Sequence, residues 1–323
     1  MPDAPLLEIN DLVKHFPQGG GLFSKPRSWV KALNGVTFQV EKGETLGVVG
    51  ESGCGKTTLG RLILRLLEPT SGQIKFNGQD ITRLNRAKMR PLRKLIQIIF
   101  QDPYSSLDPR MKVSSIVTEP LAAFHELTRQ SRRDSAAELI EKVGLQATDL
   151  DKYPHEFSGG QRQRIGIARA LSVQPRLIVA DEPVSALDVS IQAQIINLLD
   201  DLKQEFHLAY IIISHDLSVV EHMCDNIAVM YMGIIVENAP AAEFSIDPRH
   251  PYTKALLSAI PTPDPHLSRP PVYLEDDIPS PTDPPSGCTF HVRCKHCMDR
   301  CRKEQPRPVE IGPGHTVACW LFD

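Results

Sequence analysis

Val36, Phe38 and Val40 fall at every second position, the spacing of a strand with one buried face, and the polar turn Glu41-Lys42-Gly43-Glu44 leads from them into the short apolar run Thr45-Leu46-Gly47-Val48-Val49. A glycine-rich loop follows. Beyond it Leu59, Leu62, Ile63, Leu66 and Leu67 recur at helical spacing, which predicts a helix ended by Glu68-Pro69-Thr70-Ser71-Gly72. Residues 74–78 read as one arm of a hairpin, and a basic run (Arg83, Arg86, Lys88, Arg90, Arg93, Lys94) precedes a strand over 96–100. Residues 107–157 are more polar and mainly helical, the pattern of an inserted helical subdomain. Leu177-Ile178-Val179-Ala180 is a buried strand. Ile191, Ile195, Leu198, Leu199, Leu202 and Phe206 then line one face of a helix, and residues 208–214 form another apolar strand. Strands alternating with helices in this order imply an α/β fold built on a mainly parallel, doubly wound sheet.

Composition changes at Pro261, beyond which Pro263, Pro265, Pro270, Pro271, Pro279, Pro281, Pro284 and Pro285 crowd one stretch. Such a density suits an extended connector rather than a packed layer. The expected organisation is one domain over 1–245 with its helical subdomain at about 107–157, a connector over 246–285 and a tail over 286–323. No apolar run approaches the roughly 18 residues that span a bilayer, and residues 1–10 lack the basic start and apolar segment of a secretion signal. A net charge of −3 gives no support to nucleic-acid binding, which normally needs a basic surplus. The basic run at 83–94 reads as a solvated surface. Five of the seven cysteines (Cys288, Cys294, Cys297, Cys301, Cys319) lie in the tail, and in a reducing compartment such a cluster points to metal ligation rather than disulfides.

Three motifs carry chemistry. Gly50-Glu51-Ser52-Gly53-Cys54-Gly55-Lys56-Thr57 fits G-x-x-x-x-G-K-[ST] between a strand and a helix, the context that motif requires. Its glycines let backbone N–H groups turn inward around phosphates, the helix adds its positive end, Lys56 reaches the β and γ phosphates, and the Thr57 hydroxyl ligates Mg²⁺. Thr58 belongs to the same helix start. Asp181 and Glu182 end an apolar strand, where Asp181 can hold Mg²⁺ and Glu182 can polarise an attacking water. Alone, two acids after a strand are more often a solvated loop; beside a phosphate loop the catalytic reading prevails. Ser158-Gly159-Gly160-Gln161 opens a helix that Ser158 can cap, with the glycines leaving room for an anion. In isolation that sequence is an ordinary helix start.

Phosphate loop, Gln101, Ser158-Gly159-Gly160-Gln161, Asp181-Glu182, Ser185-Ala186-Leu187-Asp188 and His215 occur here in the order found in ABC ATPases, and the resemblance covers residues from about 5 to 240. Phe157 stands where leucine is commoner before the signature, and keeps an apolar anchor. The resemblance implies a P-loop ATPase domain with an antiparallel β subdomain and an inserted helical subdomain, carrying a small cysteine-rich extension. It implies that Gln101 touches the metal and the attacking water, that His215 contacts the γ-phosphate, that Ser158 and Gly160 act on ATP held by an opposing subunit, and that Asp188 lies at the subunit contact. An aromatic residue near the start stacks on adenine in such proteins; Phe16 matches best and Trp29 competes. Cys54 is commonplace in the loop and is given no role.

Beyond the ATPase core, His250-Pro251-Tyr252-Thr253-Lys254-Ala255-Leu256-Leu257-Ser258-Ala259-Ile260-Pro261 and the tail cysteines resemble the oligopeptide/dipeptide (and nickel) importer branch, and most closely the second of its two ATPases. The expected activity is ATP hydrolysis driving import of short peptides, with nickel or opines as alternative cargo. The resemblance also implies a second ATPase subunit, two transmembrane permease subunits, a peptide-binding protein outside the cell, and a peripheral position on the cytoplasmic side of the bacterial plasma membrane. Cys288, Cys294, Cys301 and Cys319 match the branch's four tail cysteines and could bind a [4Fe–4S] cluster or Zn²⁺. Reduced thiols packed against a small fold are the other reading. A repair-type ABC ATPase needs a long coiled coil and a translation-type one needs two cassettes. Neither pattern occurs, and the stretch from His250 argues against an exporter.

Overall fold

The computed structural model describes residues 4–19, 27–124, 128–259 and 279–323, so most of the proline-rich stretch (260–278) lies outside the described residues. Along the chain the strands are β1 (Leu7–Gln18), β2 (Ser28–Val40), β3 (Thr45–Val49), β4 (Ser71–Phe76), β5 (Gln79–Asp80), β6 (Ile96–Ile99), β7 (Leu177–Asp181), β8 (Ala209–Ile213), β9 (Asn226–Tyr231), β10 (Ile234–Pro240), β11 (Val309–Gly312) and β12 (His315–Val317). The helices are α1 (Lys56–Ile63), α2 (Arg86–Leu92), α3 (Val113–Ala122), α4 (Arg129–Lys142), α5 (Gly159–Leu171), α6 (Val189–Phe206), α7 (Leu217–Met223), α8 (Ala241–Phe244) and α9 (Pro251–Ser258). The chain divides into two compact units: residues 1–40, 46–83 and 215–323 form the first, and residues 41–45 and 84–214 the second.

The first unit holds an antiparallel sheet ordered β2-β1-β4-β5. Leu7, Ile9, Leu12, Leu33, Val36, Val40, Ile74 and Phe76 supply its buried face; Leu7 and Ile9, and Ile74 and Phe76, keep the every-second-residue spacing of a strand, which a register shift breaks between Ile9 and Leu12. Asn77 and Gly78 both have left-handed backbone (φ 49° and 77°), which closes the β4–β5 hairpin with the twist that paired strands favour. The same unit contains β3, paired in parallel with β9, followed by the antiparallel succession β9, β10, β12 and β11. Residues 315–317 of the tail therefore continue a sheet that begins beside the phosphate loop.

In the second unit β6, β7 and β8 run parallel, with Ile96 opposite Leu177 and Leu177 opposite Ala209. Their residues are almost all apolar because such a sheet is covered on both faces. Helix α6 buries Ile195, Ile196, Leu198, Leu199 and Leu202, while Ile191 and Phe206 are only half-buried. Helices α3 and α4 and two short 3₁₀ turns occupy most of 113–156.

The first helix is shorter than its pattern predicts. It stops at Ile63, not Leu67, because Arg65 takes a left-handed conformation (φ 53°) and its guanidinium donates to the carbonyls of Ile81 and Leu67, each at 2.9 Å. Leu66, expected on the apolar face, is 52% exposed. Arg83, Arg86, Lys88, Arg90 and Arg93 are exposed, in keeping with a solvated basic run.

Candidate functional site

The phosphate loop belongs to the first unit. All of β3 is buried, and the chain leaves it at Gly50, whose φ of 149° few side chains tolerate; a Cβ there would stand 2.2 Å from the Met230 carbonyl oxygen. At the far end Gly55 has φ 110°, and a Cβ would meet the Ala32 carbonyl oxygen at 2.4 Å. Glycine is required at both ends for the loop to pass this close to β2 and β9. Lys56 is buried, and its ammonium donates to the carbonyls of Gly50 (2.6 Å) and Glu51 (3.1 Å). No side chain caps α1, so its first N–H groups are available to an anion. Ser52 and Gly53 are exposed, while Thr57 and Thr58 are half-buried on the first turn of α1. Burial raises the Cys54 thiol, with the Lys56 ammonium pulling the other way. A buried, protonated thiol suits packing and not reactivity.

Two residues that sequence reasoning missed hold this loop. The buried Tyr252, at the start of α9, accepts a hydrogen bond from the Glu51 N–H at 2.9 Å. Arg293 clamps the Glu51 carboxylate through two donors, Nη1 at 2.8 Å and Nη2 at 3.1 Å. Both partners lie more than 200 residues downstream, beyond any local pattern. Phe16 and Trp29 also lie in this unit. Phe16 pairs with Val30 and Trp29 with Pro17, so the two aromatic side chains project from opposite faces of the β1–β2 ribbon. Lys14 stacks on Phe16, 4.8 Å from the ring centroid. His215 is exposed, just past Ser214 at the end of β8.

The carboxylates belong to the second unit. Asp181 ends β7, and Glu182 follows in left-handed backbone at φ 48°. That conformation is costly for a residue with a side chain. It is held by the Glu182 N–H donating to the Ile213 carbonyl at 2.8 Å and by Gln101 Nε2 donating to Glu182 Oε2 at 2.7 Å. Buried Gln163 fastens the next residue, donating to the Pro183 carbonyl at 2.7 Å. Gln101 and Glu182 are thus brought together, and both are open to solvent on one side.

The serine–glycine stretch opens α5 in the same unit. Ser158 caps it reciprocally with Gln161: the Ser158 N–H donates to Gln161 Oε1 (3.0 Å) and the Gln161 N–H to Ser158 Oγ (3.4 Å). Ser158 and Gly159 are exposed and Gly160 is buried, where a Cβ would stand 2.5 Å from Ile191 Cγ2. Asp188 is the exposed N-cap of α6, and Val189 beside it is 81% exposed.

The tail cysteines are free thiols, with Cys288 and Cys301 buried. Burial, reinforced by the neighbouring Cys301, Cys319 and Cys294, pushes Cys288 up to about 12, and burial also raises Cys294 and Cys319. Among the described residues no group of three or more His, Cys, Asp or Glu side chains is arranged to hold a metal ion. The expectation of a [4Fe–4S] cluster or Zn²⁺ on Cys288, Cys294, Cys301 and Cys319 therefore finds no support among the described residues.

Comparison with known proteins agrees with these elements. Residues 33–185 match the ABC transporter family, and residues 236–301 match the family described as oligopeptide/dipeptide transporter, C-terminal region. The oligopeptide transport ATP-binding protein AppF of Bacillus subtilis (strain 168) is 51% identical over 320 residues, covering 98% of this chain and 97% of its own. The dipeptide transport ATP-binding protein DppF of Escherichia coli (strain K12) is 50% identical over 319 residues, covering 99% and 95%. Among solved structures, the dimeric post-hydrolysis state of the ATP-binding cassette MJ0796 bound to ADP and Pi superposes with a TM-score of 0.65 at 26% identity, over 73% of this chain and 98% of that one. A strand–glycine loop–helix, a strand ending in Asp181-Glu182 and a capped Ser158-Gly159-Gly160-Gln161 helix, on a chain half identical to these relatives from end to end, place it in the ABC ATPase family, within the branch of oligopeptide and dipeptide transport ATP-binding proteins.

Proposed function

We propose that this chain is the ATP-hydrolysing subunit that powers import of short peptides through a membrane ABC transporter. The observation that carries the reading is the fastening of Glu182: a carboxylate held in left-handed backbone at the end of an apolar strand, with Gln101 bonded to it at 2.7 Å. A chain keeps such strain where chemistry needs one oxygen aimed in one direction.

In this reading ATP lies along residues 50–58, its β and γ phosphates against the loop N–H groups and the Lys56 ammonium. Thr57 and Asp181, with Gln101, would hold Mg²⁺; their hard oxygen donors suit that ion, which neutralises charge on the phosphates when bound. Glu182 takes a proton from a water as its oxygen bonds to the γ-phosphorus and the bond to ADP breaks. For that, Gln101 exchanges its bond with Glu182 for one with the water. His215 steadies the γ-phosphate, and Phe16 stacks on adenine. Ser158 and Gly160 of a second chain close over the same phosphates, with Asp188 at the contact. Most of the rate enhancement then comes from positioned charge.

ATP on this account joins two chains, and its hydrolysis removes the contacts that join them. The exposed Ser158, Gly159, Asp188 and Val189 support such a face. The partner we favour is a different ATPase chain of the same kind. Two permeases and a peptide-binding protein outside the cell complete the machine. Among the described residues no helix is long and apolar enough to cross a membrane, so attachment to the cytoplasmic face of the bacterial plasma membrane runs through the permeases. Peptide cargo is supported by the match over 236–301 and by relatives whose names specify oligopeptides and dipeptides.

The test is reconstitution of the chain with its permeases, second ATPase and binding protein in vesicles containing ATP. Dipeptide or oligopeptide uptake that stops with Lys56→Ala supports the reading. Uptake of nickel or opines without peptides would replace the cargo while leaving the motor, and no ATP-dependent uptake of any of these would overturn the transport reading.

A further inference from the structure

The tail reaches the phosphate loop through one side chain. Arg293 closes the short 3₁₀ turn His291–Arg293, and its side chain is only 5% exposed. The turn is held by Phe290, which packs against Tyr231 (ring centroids 5.3 Å apart), Tyr252 (5.5 Å) and His250 (5.5 Å). The guanidinium carbon lies 5.9 Å from the centroid of the Tyr231 ring. From this seat Arg293 grips both oxygens of Glu51, at 2.8 and 3.1 Å, across 242 residues of chain. Glu51 is the second residue of the phosphate loop, and its carbonyl accepts from the Lys56 ammonium at 3.1 Å.

An acid at that point is electrostatically awkward. Its carboxylate sits one residue past Gly50 in a loop built for a polyanion, and an unpaired negative charge there opposes phosphate binding. A bidentate guanidinium neutralises the charge and fixes the direction of the carboxylate, and so of the backbone that carries it. We propose that Arg293 is a positioning residue for nucleotide binding: by pairing with Glu51 it cancels the loop's own negative charge and sets the loop's entry, so that the folded tail is a condition of tight ATP binding. This deepens the ATPase reading and rests on it. A staple that served stability alone would alter unfolding but leave the ATP requirement of the folded protein unchanged.

The experiment measures KM for ATP, kcat and thermal stability on the full-length protein carrying Arg293→Gln, Arg293→Lys, Glu51→Gln, or Arg293→Gln with Glu51→Gln. Arg293→Gln should raise KM about fivefold or more, with kcat within about twofold of the parent, because uniform binding is what has been lost. Adding Glu51→Gln should bring KM back toward the parent value, since the charge that Arg293 cancels is then gone. Arg293→Lys, which keeps charge but not the two-pronged bond, should fall between, and it supplies the test should Arg293→Gln not fold. A parental KM in Arg293→Gln or Arg293→Lys overturns the proposal, as does a double variant no better than Arg293→Gln. Lys56→Ala serves as the separate check: unchanged ATP binding in that variant would defeat the phosphate-loop reading itself, whatever Arg293 does.

Discussion

Gly50→Ala tests how tightly the fold constrains the phosphate loop. The added Cβ would lie 2.2 Å from the Met230 carbonyl oxygen and 2.9 Å from Cys54 Sγ. Carbon and carbonyl oxygen rest at about 3.3 Å or more, so the loop must retreat by roughly 1 Å, because Met230 is buried in β9, the strand hydrogen-bonded to β3. Alanine must also adopt a φ of 149° or force the loop out of it. Overpacking and backbone strain together cost about 2–6 kcal/mol. A displacement of about 1 Å in a group that positions substrate costs about 100-fold in rate. The assay is steady-state ATP hydrolysis with a parallel titration of a fluorescent ATP analogue, and urea unfolding for stability. Gly53→Ala is the internal control: a Cβ at Gly53 meets nothing within 4 Å, so only the strain of φ 80° is added, about 1–3 kcal/mol. Gly50→Ala with parental turnover and stability, or the two variants behaving alike, would refute the reasoning.

Other outcomes follow from single contacts. Glu237 is buried and accepts from the backbone N–H groups of Arg249 and His250 and from His315 Nε2 at 2.8, 2.8 and 2.9 Å; Glu237→Ala should cost about 3–5 kcal/mol in urea unfolding, and a loss under 1 kcal/mol would contradict the contact's importance. Burial holds His250 down to about 3, whereas an unfolded histidine titrates near 6.5. Between those values the unfolded chain binds the extra proton, so stability should fall as pH drops below about 6.5, by up to about 1.4 kcal/mol per pH unit from this group. His250→Asn should flatten that dependence, and an unchanged slope between pH 7 and pH 5 would count against it. Phe16→Ala should weaken ATP binding by about 1–3 kcal/mol, the scale of base–aromatic stacking, while Trp29→Ala leaves it unchanged. The reverse pattern would move the adenine contact to the other face of the ribbon.

What the sequence reveals and what it hides divide along range of interaction. The strand before Gly50 and the helix after Lys56, the buried strand into Asp181, and the Ser158–Gln161 cap all rest on neighbours a few residues apart, and local chemistry is written in local pattern. The end of α1 was misplaced because the arginine that stops it is drawn out of the helix by a carbonyl 16 residues away, at Ile81. Tyr252 and Arg293 hold Glu51 from positions 201 and 242 residues downstream, which no periodicity reports. The buried Glu237–His315 pair was equally invisible, since both residues lie in strands whose neighbours look unremarkable in composition. The clustering of cysteines in the tail and their resemblance to the importer branch point to a metal, but neither fixes placement, and among the described residues no group is set to hold one.

In the proposed mechanism Glu182 drives hydrolysis of an ATP gripped between two chains. The direct measurement is turnover and association state of Glu182→Gln in the presence of ATP, in the reconstituted transporter and with the proposed second ATPase chain alone. Glutamine keeps the size of the side chain and its contact with Gln101 but takes no proton. The account predicts parental ATP binding, hydrolysis lowered by about 100-fold or more, and an ATP-dependent dimer that persists through size-exclusion chromatography. Hydrolysis at the parental rate, or ATP bound by a chain that stays monomeric while hydrolysing it, would contradict it.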